Sequence, residues 1–149
     1  MTKTVIFDLD GTLALIEKRK NIATAGGKMD WTEFFHPQNI RLDEPNLPVI
    51  ATFLALQQQG HRMVIFSGRD SISRAETIAW LKRHGVVPDQ LLMRQHGDYT
   101  PDDIVKKEWL DSLFPDRSEV LCIFDDRDKV VNMWRREGLS CFQVAPGNF

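Results

Sequence analysis

Apolar positions fall into short, nearly continuous runs separated by amphipathic stretches. Val5-Ile6-Phe7, Met63-Val64-Ile65-Phe66 and Val120-Leu121-Cys122-Ile123-Phe124 show no polar alternation, the pattern of strands buried on both faces. The first of these strands is expected over Lys3 to Asp8, with shorter ones at Gln90 to Arg94 and near Ser140 to Val144. Between the runs the period lengthens to that of a helix. Asn46 and Pro48 open a helix with Val49, Ile50, Phe53, Leu54 and Leu56 on its apolar face, and Gly60 ends it. Ser73 and Glu76 have capping-box spacing at the start of the next, which stops at Gly85. Thr100-Pro101-Asp102-Asp103 supplies a capping hydroxyl, a first-turn proline and two acids facing the dipole of a third helix, which carries Val105, Lys106, Trp109 and Leu113. A fourth runs through Val130, Val131 and Trp134 to Gly138.

Strands alternating with helices predict an α/β fold: three Rossmann-like layers, with a mostly parallel five-stranded sheet between helices on both faces. Right-handed crossovers put the strand ends on one edge, where open α/β sheets bind ligands. The stretch 13–45 breaks the alternation. It is mixed in charge at Glu17-Lys18-Arg19-Lys20, carries Gly26-Gly27, and is aromatic at Trp31, Phe34 and Phe35, with little periodicity. An inserted loop or small cap, acting as a lid, is the expectation for such a length. Its aromatics either stack on a base or, the favoured reading, tuck the loop against the core. Gly26-Gly27-Lys28 has neither the spacing nor the leading strand of a phosphate-binding P-loop.

Composition narrows this to a single domain over residues 1–149, without a broadly basic coat for nucleic acid: the formal net charge is −2. A local basic pocket remains compatible with that balance. No apolar stretch approaches the roughly 20 residues of a membrane span, and no apolar signal region follows Lys3, so a cytoplasmic protein is expected. Cys122 and Cys141 sit inside apolar runs and read as core thiols. His36, His61, His84 and His96 are scattered, with no zinc-site spacing.

The chemistry lies where the runs end. Asp8-Leu9-Asp10-Gly11-Thr12 follows the first, Ser67-Gly68-Arg69 the second and Asp125-Asp126 the fourth, so these groups should converge. Asp8 and Asp10, two residues apart, point to the same side, and Gly11 lets the chain turn away. Carboxylates gathered this way repel unless a cation offsets them, and an oxygen-only donor set suits Mg²⁺. The Ser67 hydroxyl and the Lys106 ammonium are suited to holding phosphoryl oxygens.

These four groups, in order along nearly the whole chain, resemble the four motifs of the haloacid-dehalogenase (HAD) superfamily phosphatases. The resemblance implies Asp8 as the nucleophile that forms an aspartyl-phosphate, and Asp10 as general acid and then base. It implies Ser67 and Lys106 as holders of the transferred group. It also implies Mg²⁺ bound by Asp8, the Asp10 backbone carbonyl and the Asp125-Asp126 pair, with Asp126 the favoured direct ligand and Asp125 acting through water.

A finer resemblance is to the 3′-phosphatase domain of phage-type polynucleotide kinase–phosphatases. It is carried by Val5 to Ala14, Phe66 to Arg69, Arg94, Gly97-Asp98, Asp102 to Lys106, Asp125 to Arg127, Val130 to Arg136 and Cys141 to Phe149. It implies substrate contacts from Thr12, Arg19, Gly68, Arg69 and Arg94, with Asp102 helping to place Lys106. No kinase domain is expected in this sequence. The expected function is a Mg²⁺-dependent phosphomonoesterase for nucleic-acid 3′-phosphate ends or nucleoside monophosphates. The alternatives are a general small-metabolite phosphatase and, less favoured, a catalytically idle HAD-like binding module.

Overall fold

Apolar runs with no polar face can be satisfied only in the middle of a layered structure, and that is where they lie. In chain order, the computed structural model, which describes residues 1–149, contains β1 (Thr4–Phe7), β2 (Ala14–Leu15), α1 (Glu17–Ala23), α2 (Trp31–Phe34), α3 (Pro37–Ile40), β3 (Glu44–Pro45) and α4 (Leu47–Gln58). It continues with β4 (Arg62–Asp70), α5 (Arg74–Arg83), β5 (Gln90–Arg94), α6 (Asp102–Leu113), β6 (Val120–Asp125), α7 (Asp128–Arg136) and β7 (Cys141–Gln143). Five strands form one sheet in the order β5-β4-β1-β6-β7, parallel at every pairing. The central β1 sets Phe7 beside Ile65 on one side and Phe124 on the other.

Alternate residues of each strand enter different cores, as the pleat requires. Val5, Phe7, Met63 and Ile65 pack against Val49, Ile50 and Phe53 of α4 and Trp80 and Leu81 of α5. Ile6, Val64 and Phe66 pack against Leu110 of α6 and Val130, Val131 and Trp134 of α7. Helices therefore cover both faces, and the carboxyl ends of β1, β4 and β6 share one edge. Cys122 and Cys141 are buried and free, and burial raises both thiols, Cys141 to about 12. No helix is long and apolar enough to cross a membrane.

The structure departs from the sequence expectations in local ways. The stretch 13–45 is not a plain loop: it folds into α1, α2 and α3 between the antiparallel pair β2 and β3, which ties its two ends together. Helix α1 buries only Arg19 and Ala23, so its inward face is marked by a charged residue rather than an apolar stripe. Ser73 and Glu76 form no capping box. Ser73 Oγ donates to the Asp70 carbonyl, Glu76 pairs with Arg41, and a 3₁₀ turn over Ser71–Ser73 leads into α5. Thr100 does not cap α6 either; its hydroxyl goes to Asp98, and Pro101 occupies the cap position. Leu54 lies outside the core, 38% exposed. Strand β4 runs on through Ser67-Gly68-Arg69 to Asp70, with a register shift after Ser67.

Candidate active site

The loop that leaves β1 is folded back on itself. Leu9 accepts from the backbone N–H groups of Thr12, Leu13 and Ala14 at 3.2, 3.0 and 3.0 Å. Gly11 takes φ 81°, and a Cβ there would collide with Asp126 Oδ2, so this position requires glycine on two counts. The fold-back buries Thr12, whose hydroxyl donates to Asp8 Oδ2 at 3.0 Å, while Lys106 donates to Asp8 Oδ1 at 2.9 Å. Each oxygen of Asp8 thus receives one donor. Burial raises the Asp8 carboxyl well above its ordinary range, Asp125 adds to the rise, and Lys106 opposes it.

Lys106 lies on the buried side of α6. Its Nζ also donates to Asp125 Oδ2 at 3.2 Å and lies 3.8 Å from Asp102 Oδ2, one turn earlier on the helix. Burial pushes its pKa down, but Asp102, Asp125 and Asp8 outweigh burial and hold the ammonium well above its usual value. Gly68 brings β4 close to this helix, since a Cβ there would collide with Asp102 Oδ1.

Asp125 and Asp126, at the end of β6, have different surroundings. Asp125 Oδ2 accepts from Trp134 Nε1 at 3.1 Å as well as from Lys106, and Asp125 Oδ1 accepts from the Asp126 backbone N–H at 2.8 Å. The Asp126 side chain has no protein donor of this kind. Oxygens of Asp8, Asp125 and Asp126 lie within 4.8 Å of one another. Burial, opposed by the Asp8 contact, brings Asp126 up to about 6. Three close buried carboxylates, two of them resisting ionisation, form a donor set that fits a hard divalent cation. Asp126 has the oxygens least committed to protein donors.

Asp10 sits in a different arrangement. Arg19 Nη2 and Arg69 Nε both donate to Asp10 Oδ1, each at 2.7 Å. Burial works to raise this carboxyl, but Arg19 and Arg69 prevail and hold it at about 2. Both arginines are themselves fully buried. Neither guanidinium is presented as an open phosphate clamp; both are committed to Asp10 and to Asp43, which sequence reasoning did not single out. Asp43 has no motif around it, and its partners become neighbours only when the 13–45 segment folds onto the sheet edge. Sequence reasoning placed Trp134 on the last helix and did not single out Trp80, although their ring N–H groups end on Asp125 and on the Asp43 carbonyl.

The remaining expected residues are placed as follows. Ser67 is 1% exposed, and its Oγ accepts from the Arg69 backbone N–H at 3.1 Å, which leaves the hydroxyl proton for another acceptor. Arg94, expected to contact substrate, is committed to protein groups here. It donates to the Gly68 carbonyl at 3.0 Å and to the Thr100 carbonyl, and lies 3.4 Å from Asp102 Oδ1. It braces Gly68 against the start of α6. Trp31 and Phe35 stack on the surface of the 13–45 segment, while Phe34 is buried against the Arg19 guanidinium, 4.3 Å from ring centroid to Cζ. One aromatic of the segment therefore tucks inward as favoured, and Trp31 remains 58% exposed.

Residues 2–149 match the family described as the polynucleotide kinase PNKP phosphatase domain. The chain belongs to that family. It is similar to a chain of the Pnkp1/Rnl/Hen1 RNA repair complex at 37% identity and a TM-score of 0.80, over 99% of this chain and 44% of that one. A relative from Autographa californica nuclear polyhedrosis virus, named for bifunctional polynucleotide kinase and RNA ligase activity, is 29% identical over 89% of this chain and 18% of its own length. The chain therefore spans less than half the length of either relative. A haloacid dehalogenase-like hydrolase from Streptococcus pneumoniae shares the fold, with a TM-score of 0.70 at 13% identity over 95% of this chain and 84% of that one. Residues 2–149 thus form a HAD-fold domain of the PNKP phosphatase family, with no large cap domain inserted within them.

Proposed function

We propose that this protein is a Mg²⁺-dependent phosphomonoesterase that removes phosphate from nucleic-acid 3′ ends through an aspartyl-phosphate on Asp8. The observation that carries the reading is the environment of Asp8, a buried carboxylate held oxygen by oxygen between Thr12 and Lys106 beside two further acids. A nucleophilic carboxylate needs to be fixed in orientation, which these two donors do, and Lys106 also opposes the rise in its pKa that burial and Asp125 impose, a rise that a bound cation would oppose further. Membership of the PNKP phosphatase family and similarity to a chain of an RNA repair complex support a nucleic-acid end as substrate.

In this reading Asp8, Asp126, Asp125 and the Asp10 carbonyl would hold the metal. When bound, Mg²⁺ supplies positive charge that relieves the repulsion among the carboxylates and toward the substrate phosphate. Asp8 attacks phosphorus, while Lys106 and the Ser67 hydroxyl hold the oxygens of the transferred group. Asp10 gives a proton to the departing ribose oxygen and later takes one from the water that hydrolyses the aspartyl-phosphate. In the free site the arginines keep Asp10 ionised, the form required of the base; a phosphate dianion beside it works in the opposite sense and favours the acid form. Arg94 and Asp102 keep Gly68 and Lys106 in place. The domain is one unit over residues 1–149, with 13–45 as a small cap.

The test is phosphate release, with Mg²⁺ or EDTA, from a 3′-phosphorylated oligonucleotide beside matched 3′- and 5′-mononucleotides. Metal-dependent preference for the oligonucleotide is expected. Preference for mononucleotides would make it a nucleotidase on the same scaffold. Cleavage of an aryl phosphate alone would overturn the substrate class while leaving the chemistry intact.

A further inference from the structure

Asp43 is an acid with a fully buried side chain in a segment that contributes none of the four motifs. Its Oδ1 accepts from Arg19 Nε at 3.1 Å, and its Oδ2 accepts from both Arg19 Nη2 at 3.0 Å and Arg69 Nη2 at 2.8 Å. Its backbone carbonyl is fixed in turn by Trp80 Nε1 at 2.9 Å. The remaining donors are also committed, Arg19 Nη1 to the Phe34 carbonyl and Arg69 Nη1 to Thr77 Oγ1, both at 3.0 Å. Two guanidinium groups and two carboxylates make a set of balanced charge, buried except at Asp10, whose side chain is partly exposed. Within it, Asp43 takes three donors and Asp10 takes both arginines on the single oxygen Oδ1.

We propose that Asp43 is a positioning residue for proton transfer to the leaving group: it holds both arginines so that they grip one oxygen of Asp10 and leave the other free to act. The inference rests on the acid–base role of Asp10 proposed above. If the arginines were held by Asp10 alone, their planar forks would turn to take both of its oxygens, since a bidentate pair is the preferred guanidinium–carboxylate geometry. That would occupy the oxygen the proton must use. Asp43 supplies the competing bidentate partner for Arg19, so both arginines meet Asp10 at Oδ1 alone, Arg19 through Nη2 and Arg69 through Nε and Nη2, each at 2.7 Å. Asp43 and Arg19 both come from 13–45, whereas Arg69 comes from β4 and Asp10 from the loop after β1. Acid function at Asp10 therefore depends on the 13–45 segment being folded onto the sheet edge.

A purely structural ion-pair role and a positioning role predict different substrate dependences. An alcohol leaving group needs a proton from Asp10, whereas an acidic phenol leaves largely without one. The experiment measures kcat/KM, which covers the steps through Asp8 phosphorylation, for a nucleoside 3′-phosphate or 3′-phosphorylated oligonucleotide and for 4-nitrophenyl phosphate. It does so in the intact chain and in Asp10→Asn, Asp43→Asn and the double variant. Asp43→Asn should lower kcat/KM for the alkyl ester about 10- to 100-fold more than for the aryl ester, in the same sense as Asp10→Asn. The double variant should show no selectivity beyond that of Asp10→Asn. Equal losses on both substrates in Asp43→Asn, with Asp10→Asn still selective, would reduce Asp43 to a structural anchor and overturn the proposal. Equal losses in Asp10→Asn itself would instead overturn the acid role on which the proposal rests. Should Asp43→Asn fail to melt cooperatively, Trp80→Phe decides: it frees the Asp43 carbonyl without altering the charges, and should shift the same ratio in the same direction.

Discussion

Trp134 Nε1 donates to Asp125 Oδ2 at 3.1 Å, the same oxygen that Lys106 reaches at 3.2 Å. A core tryptophan is thus also the group that orients a carboxylate of the proposed metal site. Trp134→Phe keeps most of the buried ring and removes the donor. Outer-shell partners of this kind are worth roughly 10- to 100-fold in metal affinity, so the Mg²⁺ concentration for half-maximal activity should rise by about tenfold or more. The lost hydrogen bond should cost only about 1 kcal/mol in stability. A Mg²⁺ titration beside a thermal melt checks both, and an unchanged Mg²⁺ midpoint would remove Trp134 from any part in the metal site.

Gly68 and Gly26 make a matched pair for testing close approach. A Cβ at Gly68 collides with Asp102 Oδ1 and comes within 3.6 Å of Arg94 Nη2, whereas Gly26 has no heavy atom within 4 Å and no positive φ. Gly68→Ala should therefore push Asp102 away from Lys106, destabilise by about 1–3 kcal/mol and lower kcat. Gly26→Ala should be neutral or stabilising by up to about 1 kcal/mol, by restricting the unfolded chain. Equal melting temperatures for the two variants would refute this account of Gly68.

Much of the fold was legible because its central strands are largely buried on both faces, Leu121 of β6 being the exposed exception among their apolar residues. Val5-Ile6-Phe7, Met63 to Phe66 and Val120 to Phe124 lie at the centre of the sheet, and nothing but a covered parallel strand accommodates such runs. The groups placed at their ends, Asp8, Ser67 and Asp125-Asp126, follow from that same geometry. Local polar chemistry was harder to read. Ser73, Glu76 and Thr100 had the spacing of caps, but each hydroxyl or carboxylate found a nearer partner, in Asp70, Arg41 and Asp98. The 13–45 segment was least legible, because Arg19 and Asp43 bury charge against charge. Hydrophobic periodicity does not register a helix whose inward contact is a guanidinium. The pairing between Asp43, Arg19 and Arg69 spans 24 and 26 residues of sequence, beyond the reach of any spacing rule.

Asp8→Asn offers the most direct check on the nucleophile. An amide at this position keeps one acceptor oxygen for Lys106 and turns its NH2 toward Thr12 Oγ1, which can accept as well as donate, but it cannot form the acyl phosphate, so turnover should fall below detection on every substrate. Stability should not fall with it, because the substitution also removes one of three mutually repelling buried acids. Undiminished phosphate release would exclude Asp8, and a collapse of the melting temperature would make it a structural residue instead.

The acidic cluster also makes stability depend on pH and Mg²⁺ in opposite senses. Asp126 is held up to about 6 and Asp8 is raised as well, against about 3.9 for an unfolded aspartate. Protons therefore bind the folded form more tightly. That contribution is fully present below about pH 4 and is lost as pH rises through 6. Asp10, held at about 2, contributes in the other direction, but its stabilisation is lost only as pH falls from about 4 toward 2, outside this window. In EDTA, this cluster should lower the melting temperature between pH 5 and pH 7.5. Mg²⁺ competes with the same protons, so the rise in melting temperature on adding it should be large at pH 7.5 and small at pH 5. A Mg²⁺ effect that is absent at pH 7.5, or larger at pH 5, would mean that Asp8, Asp125 and Asp126 do not form the cation site.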